Sequence, residues 1–543
     1  MKSVLIANRG EIAVRVIRAA ADLGLRTIAI YSELDRDAVH VDLADEAWNV
    51  GPAPAAESYL NIDRILEVAR ESKADAIHPG YGFLAENAAF AAAVIDAGLI
   101  WVGPPPEAIA TMGDKIASRA AAIAVGVDPI PGTIEPLSDA AEVAAFAEEH
   151  GYPIAIKAAH GGGGKGLKVV RSPDGLDAAF ESARREAEAW FGNAQVYVER
   201  YLDRARHIEA QVIFDQHGNG LFLGERDCSL QRRHQKLVEE TPAVGFSAEQ
   251  RAALGEAALE VSRAAGYVNA GTVEFLLDQD GRFYFLEMNT RIQVEHTITE
   301  AVTGVDLVAE QLRVAAGETL SVDGVTARGH AMEFRVNAEN AALDFLPTPG
   351  TLVTYREPAG PWVRVDSGVR QGSVISQYYD NLIAKLIITG RDRDEVIRRA
   401  KRALTEFQIG GVSTTIPADL AILDNEAFLA GDVHTRLVED AMDFSNLDSS
   451  TAPTLPEDEE AEEKEITVEV GGRRFEVRYW SRVMASTGPG QRPAPRRRPP
   501  KLTRQTSAGG GEGIVAAPMQ GTIVKVHHKA GDVVSTGDPV CVL

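Results

Sequence analysis

The sequence predicts a multidomain protein of the α/β and α+β classes, and three observations support this. The chain has 543 residues, far more than one typical domain, so several hydrophobic cores are expected. Short apolar runs of strand length alternate with stretches of helical periodicity from residue 4 onward. After residue 443 the composition changes sharply to acidic and then low-complexity sequence, which indicates that the packed domains end there.

The composition narrows the class of protein. The 79 acidic residues outnumber the 55 basic residues, and the net charge of -24 argues against nucleic-acid binding because a phosphate backbone would be repelled. No apolar run approaches the roughly 18 residues of a membrane span. With only Cys228 and Cys541 and no leader before the first strand, we expect a disulfide-free cytoplasmic protein with no membrane partner.

Residues 1–111 are predicted to form the first domain. An apolar strand at 4–7, an amphipathic helix at 11–23 and a second strand at 27–31 form a β-α-β opening. The connection at 8–11 reads NRGE and lacks the glycine trio that lets backbone approach a pyrophosphate, which disfavours nicotinamide binding. Strand and helix signals continue to alternate to the end of this domain.

A glycine-rich loop stands out in the second predicted domain, residues 112–325. Residues 160–166 read HGGGGKG between two predicted strands and do not match the Walker pattern, because Leu167 follows the last glycine. Four consecutive glycines offer backbone N–H groups that can close on phosphate oxygens, and Lys157 and Lys165 supply positive charge. The loop is therefore predicted to be a mobile phosphate lid, and a hairpin tip without function is the alternative.

A hairpin over residues 271–287 carries the predicted metal site. An Asp-Gly pair at 280–281 is a favoured two-residue turn and would set Glu274 directly across from Glu287. Opposed like charges destabilise a sheet unless a cation lies between them, and a magnesium ion that bridges phosphate oxygens would serve. Asn289, just beyond the strand, adds a neutral oxygen. The alternative is a pair of solvent-facing glutamates.

Arg291, Gln293, Glu295 and His296 concentrate polar groups immediately after this hairpin. Arg291 can bind a small oxyanion through two N–H groups, and Glu295 can act as a general base. A surface cluster of salt bridges is the alternative interpretation. A second charged run, residues 225–236, would position a phosphate or an anionic substrate, although such a run is more often a solvated face.

The remaining sequence contains three parts. Residues 326–445 mix strands with an amphipathic helix at 393–407. Residues 446–512 comprise an acidic run, a hairpin over 466–480 around a Gly-Gly turn, and a linker rich in Pro, Arg and Gly. A solvated linker is the favoured interpretation of this last stretch, and a basic docking patch is the alternative. Residues 513–543 form a separate segment.

Five motifs in order carry a family resemblance. They read VLIANRGEIAVRVIRAA from residue 4, HPGYGFLAEN at 78–87, GGGGKG at 161–166, ERDCSLQRRHQKLVEE at 225–240 and EMNTRIQVEH at 287–296. Over residues 1–445 the chain resembles the biotin carboxylase component of biotin-dependent carboxylases. The resemblance implies a Rossmann-like N-terminal (pre-ATP-grasp) domain, an ATP-grasp domain with a lid, and a mixed C-terminal biotin carboxylase domain.

The resemblance also implies an activity and a role for each candidate residue. ATP would phosphorylate bicarbonate to carboxyphosphate, whose CO2 is then transferred to the ureido nitrogen of biotin. The residues implied for ATP binding are Lys115, Lys157, Gly162, Gly163, Gly164, Lys165, Glu199, Leu202, His207, Gln231 and His234. The ligands implied for Mg2+ or Mn2+ are Glu274, Glu287 and Asn289.

The same resemblance assigns the other two substrates. The residues implied for bicarbonate are Lys236, Arg291, Gln293, Val294 and Glu295, and those implied for biotin are Tyr81 and Arg335. Among these, Glu295 would be the base, Lys236 and Arg291 would hold the anion, and Arg335 would stabilise the enolate form of biotin. Leu167 stands where many members of that family have methionine, and Thr297 where some have proline, but neither difference removes a reacting group.

Residues 513–543 resemble the first half of an all-β biotinyl/lipoyl carrier domain. In that family a Met-Lys-Met hairpin carries the biotin, and no lysine of this sequence matches it, since Lys525 and Lys529 lie earlier in the repeat. We therefore expect that the chain is not biotinylated, which an avidin blot after incubation with a biotin ligase tests. We also expect this partial domain to be poorly ordered or edge-exposed.

The expected function is that of the α subunit of a bacterial acyl-CoA carboxylase of the acetyl- or propionyl-CoA type. The expected partners are a carboxyltransferase β subunit and a biotin carboxyl carrier domain that brings the biotin, and a homo-oligomer is expected. Two alternatives stay open. Another ATP-grasp ligase that uses carboxyphosphate is disfavoured by Arg335 and the carrier-like tail, and a non-catalytic assembly subunit is disfavoured by the intact carboxylates and lysines.

Overall fold

The computed structural model describes residues 1–133, 135–158, 167–447, 462–470, 473–481, 525–526 and 541–542. The chain divides into two compact units, Met1–Thr451 and Ala452–Leu543. The predicted lid at 160–166, the linker after residue 481 and most of the carrier-like segment lie outside the described residues. No helix in the described part is long and apolar enough to cross a membrane.

The first unit begins with a five-stranded parallel sheet in the order β3-β2-β1-β4-β5. Its elements are β1 (Ser3–Ile6), α1 (Gly10–Asp22), β2 (Arg26–Ser32), α2 (Val39–Leu43), β3 (Glu46–Gly51), α3 (Ile62–Glu71), β4 (Ala76–His78), α4 (Ala88–Asp96), β5 (Ile100–Trp101) and α5 (Pro106–Gly113). Leu5 in the central strand is fully buried and pairs with Ile28 on one side and Ile77 on the other. The predicted β-α-β opening is therefore confirmed. Helix α5 runs across the boundary expected at 111–112.

The central part of the first unit contains a three-stranded sheet, β7-β6-β8, and half of a larger sheet. Its elements are α6 (Lys115–Ala124), α7 (Ala140–His150), β6 (Ile154–Ala158), β7 (Lys168–Val170), α8 (Leu176–Phe191), β8 (Val196–Arg200), β9 (Arg206–Phe214), β10 (Gly220–Arg232), β11 (Gln235–Thr241), α9 (Ala248–Ala264), β12 (Asn269–Leu277), β13 (Phe283–Asn289), α10 (His296–Thr303) and α11 (Leu307–Ala315). Strands β6 and β7 flank the predicted lid, as expected from the sequence.

The rest of the first unit completes the larger sheet. Its elements are β14 (His330–Asn337), β15 (Glu339–Asn340), β16 (Leu346–Pro347), β17 (Gly350–Thr351), β18 (Thr354–Arg356), β19 (Val363–Ser367), β20 (Val374–Ile375), β21 (Leu382–Gly390), α12 (Arg393–Glu406), β22 (Gln408–Gly410), α13 (Ile416–Asp424), α14 (Glu426–Ala430) and α15 (Leu437–Ala441). Strand β11 pairs with β14, so the eight strands β13-β12-β9-β10-β11-β14-β21-β19 form one continuous sheet. Strands from before and after residue 325 thus belong to the same sheet.

The hairpin of β12 and β13 differs from its predicted turn. The connection is the longer loop 278–282, in which the Asp278 carboxylate accepts two backbone hydrogen bonds of 2.9 Å. The predicted two-residue Asp-Gly turn is therefore wrong. Glu274 nevertheless pairs with Glu287, because Leu286 is an extra residue that forms a β-bulge and shifts the register by one position. The predicted opposition of the two carboxylates is confirmed.

The second unit contains an antiparallel hairpin of β23 (Glu462–Val470) and β24 (Arg473–Ser481). Val470 lies opposite Arg473, which is the register expected of a two-residue connection. The predicted hairpin is confirmed. In the carrier-like segment, β25 (Lys525–Val526) pairs with β26 (Cys541–Val542), and the prediction of poor order there falls outside the described residues.

Candidate active site

A row of charged side chains crosses the eight-stranded sheet. In β9, His207, Glu209 and Gln211 alternate with apolar residues and therefore lie on one face of the strand. The register pairs Glu209 with Glu274 on β12 and with Arg226 on β10. All five side chains are buried. Strand pairing thus brings together carboxylates and a cation that are distant in sequence.

The buried Arg226 and the partly buried Lys236 compensate the carboxylates of this row. The guanidinium group of Arg226 donates to Glu209 Oε2 at 3.0 Å and to Gln211 Oε1 at 2.7 Å. Lys236 Nζ donates to Glu209 and lies 3.6 Å from Glu274 Oε1. Because an unpaired ion is costly to bury, this alternation of signs is what allows so many charges inside the sheet.

Glu295 lies between two cations, Lys236 and Arg335. Its Oε1 accepts a hydrogen bond from Lys236 Nζ at 2.6 Å, and its Oε2 accepts one from Arg335 Nη2 at 2.9 Å. Burial raises the pKa of this carboxyl, but Lys236 and Arg335, with Arg226 behind them, outweigh burial and hold the pKa well below its usual range. The carboxylate is ionised at neutral pH, as a general base must be. Its burial excludes a surface salt-bridge cluster.

Arg291 is held at the end of the hairpin by two partners. Its Nη2 donates to Asn289 Oδ1 at 2.6 Å, and its Nε lies 3.1 Å from Glu86 Oε2. Burial lowers the pKa of Arg291, but Glu86 and Glu295 outweigh it and raise the pKa above its usual value. Arg291 is therefore a fixed positive charge near Glu295, suited to an oxyanion.

Gln293 ties the loop before Glu295 to the charged row. Its Nε2 donates to Glu274 Oε1 at 2.8 Å, and its Oε1 accepts from Arg226 Nη2 at 2.5 Å. His296 Nδ1 lies 2.7 Å from the backbone oxygen of Gln293. Burial, together with nearby cations, holds the pKa of His296 well below its usual value, so this ring is neutral. The predicted cluster therefore divides into charged side chains and a neutral, structural histidine.

The carboxylates of Glu274 and Glu287 fit a divalent cation. Burial raises the pKa of both, but Lys236 and His207 hold the pKa of Glu274 well below its usual range. The pKa of Glu287 is raised by burial and by Glu274, so its anionic form lacks sufficient compensation. Two close carboxylates of which one is short of positive charge suit a hard cation such as Mg2+.

Asn289 fits the proposed metal set less directly. Its Nδ2 donates to Glu274 Oε1 at 2.8 Å, and its Oδ1 accepts from Arg291. The amide oxygen is thus already shared with a cation, although its second lone pair would still be able to bind a metal. The two glutamates are the stronger candidates.

The lysines expected to bind ATP meet beside Glu199. Lys157 Nζ donates to the buried Glu199 carboxylate. The pKa of Lys115 is lowered by burial and by Lys157, despite the opposing effects of Glu287 and Glu199. Leu202 is buried in a small apolar cluster with Ile130, which suits contact with a flat apolar ring. These positions therefore combine positive charge with an apolar surface.

The other ATP candidates lie at different depths. His207 Nε2 is 2.8 Å from Glu274 Oε2, and Glu274 raises the pKa of this histidine against the lowering effect of burial. Gln231 is buried and pairs with Lys236 in register. His234 is exposed at the turn between β10 and β11, where its φ is 68°. The glycines of the lid and Lys165 lie outside the described residues.

The two residues expected to bind biotin lie on different elements. Arg335 on β14 donates from Nε to Glu239 Oε1 at 2.6 Å, besides its contact with Glu295. The hydroxyl group of Tyr81 donates to Glu11 at the start of α1. Both side chains therefore have defined orientations before any ligand binds.

Some residues of the site were missed from the sequence. Glu209 and Gln211 are central to the charged row, and Arg226 was noticed only as part of a charged run. The signal that finds the first two is local, because polar residues at alternate positions of the otherwise apolar strand β9 must share one face. Glu239 has no such signal, since its role depends on the pairing of β11 with β14.

Family models match three consecutive parts of the chain. They are described as "Biotin carboxylase, N-terminal domain" (residues 1–109), "Carbamoyl-phosphate synthase L chain, ATP binding domain" (residues 114–323) and "Biotin carboxylase C-terminal domain" (residues 333–440). A relative from Mycobacterium leprae, "Biotin-dependent acyl-coenzyme A carboxylase alpha3 subunit", is 50% identical over 552 aligned positions, covering 99% of this chain and 92% of the relative. The chain belongs to the biotin carboxylase family.

Solved structures agree with this membership. The biotin carboxylase complex with β,γ-ATP from Campylobacter jejuni has a TM-score of 0.79 and 42% identity, and covers 81% of this chain and 98% of its own. The biotin carboxylase domain of 2-oxoglutarate carboxylase from Hydrogenobacter thermophilus, described with MgADP, ADP and bicarbonate, has a TM-score of 0.78 and 44% identity over 81% of this chain and 97% of its own. The predicted family, fold class and ATP-dependent carboxylation of biotin are confirmed.

Proposed function

We propose that this biotin carboxylase is the α subunit of an acyl-CoA carboxylase of the acetyl- or propionyl-CoA type. The support is the M. leprae relative, whose similarity extends over 99% of this chain and so includes the sequence after residue 445. The carboxylated biotin would pass to a carboxyltransferase β subunit on a carrier domain. The likeness to biotin carboxylase domain dimers supports a homo-oligomer.

The observation that carries the proposed mechanism is the position of Glu295 between Lys236 and Arg335. Glu295 takes the proton of bicarbonate, and the resulting anion is held by Lys236 and Arg291. A bicarbonate oxygen then forms a bond to the γ-phosphorus of ATP while the bond to ADP breaks, which yields carboxyphosphate and ADP. Fixed cations around an ionised base favour this step because they stabilise the anion as it forms.

Carboxyl transfer to biotin would involve Arg335, which contacts the second oxygen of the Glu295 carboxylate. We assign Arg335 to the ureido oxygen of biotin, where negative charge develops as the ureido nitrogen loses its proton. Tyr81 would contact biotin from the N-terminal part. Carboxyphosphate breaks down into CO2 and phosphate, the phosphate accepts the ureido proton, and the ureido nitrogen forms a bond to the carbon of CO2.

The nucleotide would be bound by Lys115, Lys157 and the lid, with Glu199, Leu202, His207, Gln231 and His234 as further contacts. A magnesium or manganese ion held by Glu274 and Glu287 would neutralise phosphate charge. Because these two carboxylates lie opposite each other on β12 and β13, both could hold the ion. The domain boundaries at 111, 325 and 445 remain part of this proposal, and the matches at 1–109, 114–323 and 333–440 support them.

ATP hydrolysis with bicarbonate and magnesium, with and without free biotin, tests the proposed reaction. We expect bicarbonate and biotin each to stimulate ADP release, and Glu295→Gln to lower the stimulated kcat by about 10²-fold or more, because a general base typically contributes that much. Binding of ATP is expected to stay within about twofold, since the nucleotide candidates lie on other elements.

Glu256→Gln is the matched control, because Glu256 is an exposed carboxylate on α9. It is expected to behave as the unsubstituted protein. Stimulated turnover that survives in Glu295→Gln would exclude Glu295 as the base, and absence of stimulation in the unsubstituted protein would contradict the reaction itself.

A further inference from the structure

One buried lysine has no role in the site as described so far. Lys385 on β21 is fully buried, and the register pairs it with Arg335 on β14 and with Asp366 on β19. An ammonium group is costly to bury unless several partners compensate it. The partners of Lys385 therefore indicate why a lysine stands at this position.

Lys385 contacts three separate parts of the first unit. Its Nζ donates to the backbone oxygen of Val294 at 2.8 Å, next to Glu295. The same nitrogen lies 3.3 Å from Glu11 Oε1 in the first turn of α1. It also lies 6.0 Å from the centre of the Tyr81 ring. One cation thus joins β21 to α1 and to the loop that carries the base.

Glu11 extends this contact to Tyr81. The Tyr81 hydroxyl group donates to Oε1, the oxygen that also faces Lys385. The second oxygen, Oε2, is buried and has no hydrogen-bond partner among the described residues. Lys385 and Tyr81 therefore hold the Glu11 carboxylate in place together. If either side chain is lost, Glu11 keeps only one of these two contacts.

The charge of Lys385 is maintained by its surroundings. Burial lowers its pKa, but Glu11, Glu333 and Asp366 outweigh burial and raise the pKa above its usual value. The ammonium group therefore keeps its donors for Val294 and Glu11 throughout the neutral pH range. A neutral side chain of the same length would lose both contacts.

We propose that Lys385 is a positioning residue that links the bicarbonate side of the active site, through Val294, to the biotin side, through Glu11 and Tyr81. This inference rests on the roles proposed above for Val294, Glu295 and Tyr81. Lys385 itself touches no substrate in this arrangement. Its ammonium group fixes the backbone of Val294 next to Glu295. Through Glu11, the same ammonium group also fixes the side chain of Tyr81.

Replacement of Lys385 by methionine tests this role in the full chain. Lys385→Met keeps the length of the side chain and removes its charge. We expect KM for bicarbonate to rise by about tenfold and kcat with free biotin to fall by a similar factor, because a charge-assisted hydrogen bond is lost. KM for ATP is expected to stay within about twofold, since Lys385 has no contact with the ATP candidates among the described residues. The measurement is ADP release with each substrate varied in turn.

Two further variants make the experiment decisive. Lys401→Met is the matched control, because Lys401 pairs with Asp424 on the surface of the same part, and no kinetic change is expected. Burial raises the pKa of Glu11 to about 7, although Lys385 opposes this effect, so the kinetics are compared at about pH 8, where the carboxylate is ionised. Glu11→Gln keeps an acceptor for Tyr81 but removes the carboxylate that faces Lys385, and it should lower kcat with biotin. If Lys385 and Glu11 act as one unit, the double variant loses less activity than the product of the two single losses.

Equal changes in kcat and in every KM of Lys385→Met, or no change, would overturn the positioning role. Circular dichroism reports whether this variant folds. If it does not, Glu11→Gln decides, and unchanged kinetics in that variant overturn the role. Failure of the unsubstituted protein to respond to bicarbonate or biotin would instead contradict the proposed function.

Discussion

At the scale of single residues, two buried glutamates of the site have pKa values that are shifted in opposite directions. Glu295 touches Lys236 and Arg335, and its pKa lies well below the usual range although it is buried. Among the described residues Glu239 accepts a side-chain hydrogen bond from Arg335 only. Burial raises its pKa to about 8, with Glu333 and Glu295 adding to the effect. The number of cations within reach therefore decides which buried carboxylate is ionised and which holds a proton.

Glu239→Gln is predicted to flatten the dependence of stability on pH. The pKa of Glu239 rises from 4.5 to about 8 on folding. Between these values the folded protein holds a proton that the unfolded chain has released, so the free energy of unfolding decreases as pH rises. Glutamine cannot titrate, so the variant should lose this part of the slope. Urea unfolding at several pH values between about 5 and 8 measures it.

The exposed Glu256→Gln serves as the control for this series, and its slope should match that of the unsubstituted protein. Glu333 lies opposite Glu239 in register and has its own raised pKa, about 7, caused first by burial. Part of the slope should therefore survive in Glu239→Gln. An unchanged slope would mean that Glu239 is ionised in the folded protein.

At the scale of elements, the β12–β13 hairpin shows how a bulge preserves a site. The loop 278–282 sets a strand register that differs by one residue from the register in which Glu274 lies opposite Glu287. The extra residue Leu286 shifts the register by one position and so brings the two glutamates opposite each other. Since side chains alternate between faces along a strand, a slip of one residue would send Glu287 to the other face. The bulge therefore contributes to the proposed metal site, even though the Leu286 side chain is apolar.

Deletion of Leu286 is predicted to disrupt the metal site while leaving the strand long enough to pair. We expect magnesium-dependent ATP turnover to fall by about 10²-fold, because misplacement of a catalytic group by a small distance has effects of that order. Leu286→Ala keeps the bulge and should lose far less activity. The measurement is turnover against magnesium concentration, and equal losses in the two variants would contradict the role of the bulge.

At the scale of the whole molecule, one continuous sheet of eight strands carries both the charged row and Arg335. Strand β11 pairs with β14, and this pair joins the part of the chain before residue 325 to the part after it. Arg335 reaches Glu295 because of this pairing. All the site residues that the structure describes belong to the unit Met1–Thr451.

Removal of residues 452–543 is therefore predicted to leave carboxylation of free biotin intact. No described residue of the site lies in that part, so kcat and KM for ATP and bicarbonate should stay within about twofold of the full chain. The measurement is ADP release with free biotin, with the full chain as control. A folded truncated protein that loses more than about tenfold in kcat would show that the second unit contributes to the site.

Much of the site could be predicted because its chemistry lies in short stretches. The proposed metal ligand Glu287, the arginine proposed to bind the anion and the proposed base Glu295 all lie within one continuous segment. The predicted opposition of Glu274 and Glu287 is correct although the predicted turn is wrong, because the bulge at Leu286 offsets the one-residue difference in the loop. The bulge could not be predicted, because the sequence at Leu286 carries no glycine or other local signal for it.

The sequence by itself determined the family, the order of elements and the residue types available for chemistry, since periodicity, turn residues and motifs are all local along the chain. Only the tertiary structure decided which charges meet. Arg335 contacts Glu295 across 40 positions, and Lys385 contacts Val294 across 91. The reason is physical, because such contacts depend on strand register and on the burial that makes each ion require a partner, and neither is set by neighbours in sequence.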